Sequence, residues 1–568
     1  MNPSIYAERR ARVAAALGKD GIAIIPTAPE RPRNRDSDFL FRHDSYFHYL
    51  SGFTEPHATL VITGDGRCTL FCQPKDLERE IWDGIRLGPD EAPAHLGVDA
   101  AYSVAELDAR LPKLLENRSA VWYPFATHQG LETRVDGWLN AVRARVRYGA
   151  LCPQAQHDLC ALLDEMRLIK DASEIATMRR AADISGGAHR RAMRATRPGI
   201  HEYEIEAELI HEFRRYGSQA PAYGSIVAGG ANACVLHYVE NDALLRDGDL
   251  LLIDAGCELD GYASDITRTF PVNGRFSGPQ KAAYELVLAA QAAAIALTRP
   301  GAGWNDPHDA ATRVLAQGFI DLGLLQGSLD GVLESGSYRQ FYMHRTGHWL
   351  GLDVHDAGEY KIGGEWRPLV PGNVLTVEPG CYIRPADGVP EAFWNIGIRI
   401  EDDALVTESG CDILTAGSDE IEVVGKAGDV FYIPKGSAIR SNVYLADGPN
   451  VLFAQTVTGR GAAMRMEGVT WYGRDTQGTV VRQLRSASAS YAAPGWKLEA
   501  PRGFDVAATR ATPAAPQIVA RGISPAEVAI NTVNADSEDI VQLHRSINEV
   551  RAAGRHTADL EGKWWHKL

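Results

Sequence analysis

Three apolar runs in this chain end on an acid: DLLLIDAG over residues 249–256, NVLTVEPG over 373–380 and GIRIEDD over 397–403. Strands this rich in Leu, Ile and Val are built to be buried. A carboxylate inside such a strand is costly unless it is paired or binds a metal. One such acid is usually a satisfied exception. Here there are four, Asp254, Asp265, Glu378 and Glu401, because SDITRTFPV supplies another soon after Asp254. Whatever fold the chain adopts must give these acids partners.

Residues 249–270 predict a hairpin with its turn at Leu259–Gly261, which puts Asp254 and Asp265 on opposite arms. A loop centred on 259–260 sets the two acids directly opposite. A loop on 260–261 makes them diagonal neighbours. Strand parity places both on one face either way. Two adjacent ionised carboxylates repel, so a raised pKa, a cation, or both is expected. Arg399 lies two residues before Glu401, on the same face of its strand.

HRTGHWLGLDVHD, residues 344–356, adds three histidines, His344, His348 and His355, with Gly347 and Gly351 between them. His348 is the best metal candidate, because flanking glycines let backbone approach closely. Four carboxylates and one imidazole form a hard, oxygen-rich set. It suits two divalent ions such as Mn²⁺ better than a structural zinc site, which recruits thiolates. Two such ions about 3.5–4 Å apart can share a hydroxide and polarise a carbonyl. His344 and His355 are then left for substrate, as is His237 in ACVLHYVEND.

The chain has 568 residues, too many for one core, and three regions can be read. Residues 1–165 mix strands such as ATLVITG and CTLFC with helical patterns, as an α/β domain does. From 166 to 416 helices alternate with the acid-bearing strands, beginning with one long charged helix from LLDEM to RRAMRA. Residues 417–568 carry short β-like runs, with a helical end from about Ser537. The whole is an α+β chain. Its net charge of −15 argues against nucleic acid as the main partner. No run of 18 apolar residues is present, so no membrane span is expected. The start reads as a helix and lacks a signal peptide's apolar core. The eight scattered cysteines form no CxxC pair and read as reduced thiols.

LLIDAG, GYASDITRTFPVNG, FYMHRTGHWLGLDVHD, VLTVEPGCYI and IGIRIEDDALVTESG together resemble the proline-specific aminopeptidases of the pita-bread fold, the aminopeptidase P family. The resemblance covers about residues 3–416. It implies a pita-bread catalytic domain in which Asp254, Asp265, His348, Glu378 and Glu401 bind two divalent ions, usually Mn²⁺. Asp265 and Glu401 would bridge the ions. It also implies that His237, His344 and His355 surround the substrate, that Glu378 handles a proton, and that Arg399 and Tyr382 stand beside the ligands. RPRNRDSDFLFRHDSYFHYLSGFTEP and IWDGIRLGPDEAP resemble that family's first domain. Trp82 matches a tryptophan that reaches a neighbouring subunit's active site, which implies a homo-oligomer, a tetramer or dimer. The family implies peptide substrates with proline second and a cytoplasmic enzyme. Its nearest rival is prolidase, which uses the same ligands on dipeptides. Creatinase and the non-catalytic pita-bread binding modules lack the full ligand set.

The last 150 or so residues have no counterpart in that family. AGDVFYIPKGSAI resembles a cupin strand pair, but Ile439 stands where a metal-binding histidine is expected. MEGVTWYGRDTQGTVVRQLRSASASYAAPGWKLEAPRGFDV and the closing HTADLEGKWWHKL resemble the periplasmic β domain of lipopolysaccharide-export permease subunits. A passive β appendage is the expectation.

Overall fold

The structure, a computed structural model, describes residues 3–415, 422–424, 430–432, 440–447, 450–458, 464–474, 480–505 and 510–521. The chain divides into two compact units, one holding the residues up to 418 and the other the strands from 440 onward.

The first unit opens with helix α1 (Pro3–Leu17) and a six-stranded sheet. Its strands are β1 (Gly21–Pro26), β2 (Thr59–Thr63), β3 (Cys68–Cys72), β4 (Ala100–Ser103), β5 (Ala120–Tyr123) and β6 (Ala155–Asp158), in the order β4-β3-β2-β1-β5-β6. β1 runs antiparallel to β2 and parallel to β5. GIAIIP is a continuous apolar run because both faces of β1 are covered. Ile22 and Ile24 pack with Val61 and Val121 on one side, Ala23 and Ile25 with Leu60 and Ile62 on the other.

The long charged helix is not continuous. Helix α2 (Cys160–Leu168) ends, Ile169 is extended at φ −102°, and α3 (Ala172–Ala195) starts afresh. Asp171 caps the new helix by accepting from the Ser173 and Glu174 amides, while the Glu174 carboxylate accepts from the Asp171 amide. This reciprocal cap satisfies donors that a continuous helix would have bonded internally. The Lys170 amide goes to the Gly372 carbonyl instead. Periodicity alone could not see the cap outcompete continuation.

The rest of the unit carries the acid-bearing strands. β7 (Ile226–Gly229), β8 (Leu250–Asp254) and β9 (Thr267–Pro271) form one antiparallel sheet. β10 (Val374–Val377), β11 (Gly380–Ile383), β12 (Ile396–Arg399), β13 (Asp402–Val406) and β14 (Cys411–Ile413) form two more, ordered β10-β13-β14 and β11-β12. Helices α4 (Gly278–Leu297) and α5 (Asp306–Asp321) cover them, with Val287, Ala290 and Phe319 packed among Ile383, Ile396, Ile398 and Ile400. One face of these strands is thereby dry. The opposite side carries the acids.

In the second unit the described residues form an eight-stranded antiparallel sheet around Leu452, Met466, Leu484, Trp496 and Leu498. The helical end from Ser537, the segment HTADLEGKWWHKL and all but Val430–Tyr432 of the interior of AGDVFYIPKGSAI lie outside the described residues.

Candidate metal centre

The hairpin register decides how the first two acids meet. Leu259 pairs with Tyr262 across Asp260 and Gly261, both left-handed at φ 50° and 84°. The loop therefore sits on 260–261, as a two-residue turn of this hand requires. Asp254 pairs with Thr267, so Asp265 is its diagonal neighbour. The Tyr223 hydroxyl lies 2.6 Å from Asp254 Oδ1 and 2.5 Å from Asp265 Oδ1. One phenolic hydrogen serves only one carboxylate at a time, so the pair still lacks a full set of donors.

Glu378 directly follows β10, and Glu401 lies between the end of β12 and the start of β13. The Glu401 amide donates to the Thr267 carbonyl at 3.1 Å and the Thr267 hydroxyl donates to Glu401 Oε2 at 2.5 Å, which ties Glu401 to the Asp254–Asp265 hairpin. Arg399 joins three groups: Nη2 donates to Asp254 Oδ2 at 2.6 Å, Nη1 to Tyr382 Oη at 2.9 Å and Nε to Thr267 Oγ1 at 3.1 Å. Tyr382 Oη is also 2.8 Å from His344 Nε2, while His344 Nδ1 is 2.7 Å from the Arg345 carbonyl. Burial, with Arg399 nearby, lowers the His344 pKa to about 3. The ring is therefore neutral. Nδ1 donates to the carbonyl, and Nε2 accepts from the Tyr382 hydroxyl.

The glycines of the histidine motif make room for backbone. A Cβ on Gly347 would stand 2.1 Å from the Thr376 carbonyl oxygen, and one on Gly351 2.3 Å from Asp356 Oδ2. This close approach locks His348 against β10. Its amide donates to Thr376 Oγ1 at 3.1 Å, and its carbonyl accepts from the Thr376 amide at 2.9 Å. His348 Nδ1 lies 3.0 Å from the Trp349 carbonyl, so Nε2 faces the acids, 3.5 Å from Asp265 Oδ2 and 3.7 Å from Glu378 Oε1.

Asp265, His348 and Glu401 each offer a ligand atom within 4.8 Å of the others. Asp254 and Glu378 line the same cavity, of about 880 Å³. The electrostatics ask for a cation. Burial and then Asp254 raise the Asp265 pKa, and burial and then Asp265 hold that of Glu401 well above the carboxylate range. Burial also raises Glu378. Burial opposes charge on His348, yet Asp265 and Glu378 raise its pKa to about 9. Four carboxylates and one imidazole, with no thiolate among them, fit hard divalent ions.

His237 and His355 line the cavity too. The His355 ring stands edge-on to His348 at 4.4 Å. Its loop is clamped from below: Arg167 Nη2 donates to Asp353 Oδ2 at 2.6 Å and Asp356 Oδ1 at 2.5 Å, and Lys170 Nζ to Asp356 Oδ2 at 2.7 Å. Trp82 does not line this cavity in its own chain. It sits on the short helix Leu77–Asp83, 84% exposed, among the exposed side chains Leu77, Ile81 and Ile85. Sequence reasoning missed Tyr223, which lies in the unpatterned stretch APAYGSI, and the Arg167–Lys170 clamp, which read as helix surface.

Comparison with known proteins gives the chain a family and relatives. Residues 176–408 match Metallopeptidase family M24, and residues 6–122 match Aminopeptidase P, N-terminal domain. The chain is 47% identical to the Xaa-Pro aminopeptidase of Haemophilus influenzae over 72% of this chain and 94% of that one. It is 43% identical to that of Escherichia coli, over 74% and 97%. The structure of Pseudomonas aeruginosa aminopeptidase PepP superposes with a TM-score of 0.73 at 50% identity, covering 74% of this chain and 96% of that one. Zinc-substituted E. coli aminopeptidase P in complex with product gives 0.72 at 42% identity, over 74% and 96%.

Proposed function

The chain belongs to metallopeptidase family M24 and is a metalloaminopeptidase acting on the N-terminal residue before a proline, and from that premise we propose that Asp254, Asp265, His348, Glu378 and Glu401 hold two divalent ions. Mn²⁺ suits the hard donor set. The observation that carries this is the convergence of Asp265, His348 and Glu401 within 4.8 Å, flanked in one cavity by Asp254 and Glu378.

When bound, the ions supply Lewis-acid activation of water and of the scissile carbonyl. The chain's own residues do the rest. Glu378, as the carboxylate, takes up the proton set free as water attacks and returns it to the departing proline nitrogen. His355 donates to the carbonyl oxygen as it turns negative, and His237 holds the peptide. Arg399 and Tyr382 orient Asp254 and His344, and His344 Nδ1 lies 3.8 Å from Glu378 Oε2. An Xaa-Pro nitrogen carries no hydrogen to donate, so selection rests on shape around the proline ring.

The exposed patch around Trp82 supports a homo-oligomer, a tetramer or dimer, in which that indole enters a neighbour's cavity. No helix among the described residues is long and apolar enough to cross a membrane. We read the enzyme as cytoplasmic. The domains run from 1 to 165, 166 to 416 and 417 to 568.

The test is direct. Purified protein should carry divalent metal and release arginine from Arg-Pro-Pro peptides after Mn²⁺ addition, faster than it cleaves Xaa-Pro dipeptides. No release would overturn the reading. Removing residues 417–568 should leave kcat/KM on such peptides within about twofold, because the separate second unit supplies none of the site residues named above. Loss of activity in a truncated chain that remains folded would make the tail integral to catalysis.

A further inference from the structure

The cavity is not electrically uniform. Its floor is acidic, and one wall is cationic. On that wall Lys361–Ile362 pairs antiparallel with Glu365–Trp366, and Lys361 stands directly opposite Trp366. Gly363 and Gly364 make the turn at φ 59° and 92°, values that glycine accepts freely. Lys361 Nζ lies 4.3 Å from the centre of the Trp366 indole. The guanidinium carbon of Arg345 lies 5.1 Å from the same ring. All three residues line the cavity that holds the acids. Arg345 is further tethered through Nη2 to Asn305 Oδ1, just before α5. Among the described residues, neither cation has a carboxylate within ion-pair distance.

Two cations gathered on one indole, with no ion-pair partner among the described residues, repel each other until an anion arrives. The indole face offsets part of that repulsion and fixes where the charges sit. It leaves guanidinium N–H groups free, in a fork that matches a carboxylate. The charge sign also fixes direction. A substrate's amino-terminal ammonium is repelled by Arg345 and Lys361, and the scissile bond beside it must lie at the proposed metal ligands. The cationic wall therefore faces the part of the peptide beyond the proline.

We propose that Arg345, Lys361 and Trp366 form a subsite for a carboxylate carried by the peptide on the C-terminal side of its proline. The inference rests on the Xaa-Pro reading above and names the substrates that reading favours. The carboxylate has two sources, the free C-terminus of a short peptide or an acidic side chain of a longer one. The hairpin would thus select the leaving portion of the substrate, and Arg345, next to His344, would couple that selection to the reacting centre.

The experiment uses the full-length, Mn²⁺-loaded enzyme. Peptides beginning Ala-Pro with one or two further residues are compared as free acids and as amides. Amidated peptides carrying Glu are compared with the same peptides carrying Gln. The carboxylate member should win by about three- to tenfold in kcat/KM, mostly through KM, with the advantage shrinking in 0.5 M salt as screened partly exposed charges require. An advantage in the acid–amide pair alone assigns the C-terminus; one in the Glu–Gln pair alone assigns the side chain. The double variant Arg345→Gln, Lys361→Gln should bring the ratios close to one, whereas Lys361→Arg should keep them. Equal rates within every pair, or ratios that survive in the double variant, would overturn the subsite alone. No turnover of any peptide would overturn the Xaa-Pro reading and the subsite with it.

Discussion

Replacing Asp265 or Glu401 with alanine should reduce turnover on the order of 10⁴-fold or more, the scale seen when one member of an interdependent catalytic set is removed. Both groups sit in the three-donor cluster. The stability effect should have the opposite sign with and without metal. Burial and neighbouring carboxylates push both acids toward protonation, so their charge opposes folding when no cation is bound. The alanine variants should therefore unfold in chelator at the same temperature as the parent, or higher. In excess Mn²⁺ the order should reverse. An ion at 100 times its dissociation constant stabilises the parent by about 2.7 kcal/mol, a gain the variants would lose in part. Thermal unfolding in both conditions, with metal analysis of each variant, checks the claim. Full activity in either variant, or equal stabilisation by Mn²⁺, would refute a centre built on these five ligands.

The acids proposed as metal ligands were legible as a group because their chemistry conflicts with their surroundings: an acid at the end of LLLID, VLTVE or GIRIE has no reason to be there unless something pairs with it. Strand parity placed Asp254 and Asp265 on one face, but the choice between opposite and diagonal pairing needed the left-handed backbone at Asp260 and Gly261. Gly347 and Gly351 were legible as places of close approach, and both prove to be sites where a Cβ would collide. Tyr223 was not legible, since its hydroxyl matters only through a turn of chain that brings it to two distant carboxylates. Charged residues on an amphipathic helix look alike whether they face water or a buried partner. Arg167 is such a case, with its partners 186 and 189 positions away.

That buried arginine gives the second large effect. Arg167→Met should destabilise the first unit by about 3–5 kcal/mol, the usual cost of breaking a buried ion pair from one side. The side chains of Arg167, Lys170 and Asp356 are 2%, 1% and 1% exposed, while Asp353 is 44% exposed. Two cations face two anions. Removing Arg167 leaves one negative charge in excess, close to a carboxylate that cannot reach water. A fraction of the loss should be recovered by also making Asp353→Asn, because the buried Lys170–Asp356 pair then stands balanced at 2.7 Å. Activity should fall with stability in Arg167→Met, because Asp353 and Asp356 bracket the loop carrying His355, and Ser45 Oγ donates to Asp353 at 2.6 Å to brace it from the first domain. The informative readout is a drop in kcat larger than any rise in KM, measured where the variant remains folded, since a displaced His355 weakens stabilisation of the developing oxyanion more than it weakens ground-state binding. Denaturant unfolding within about 1 kcal/mol of the parent would show that these charges are already hydrated, and the clamp would then have no part in positioning the imidazole.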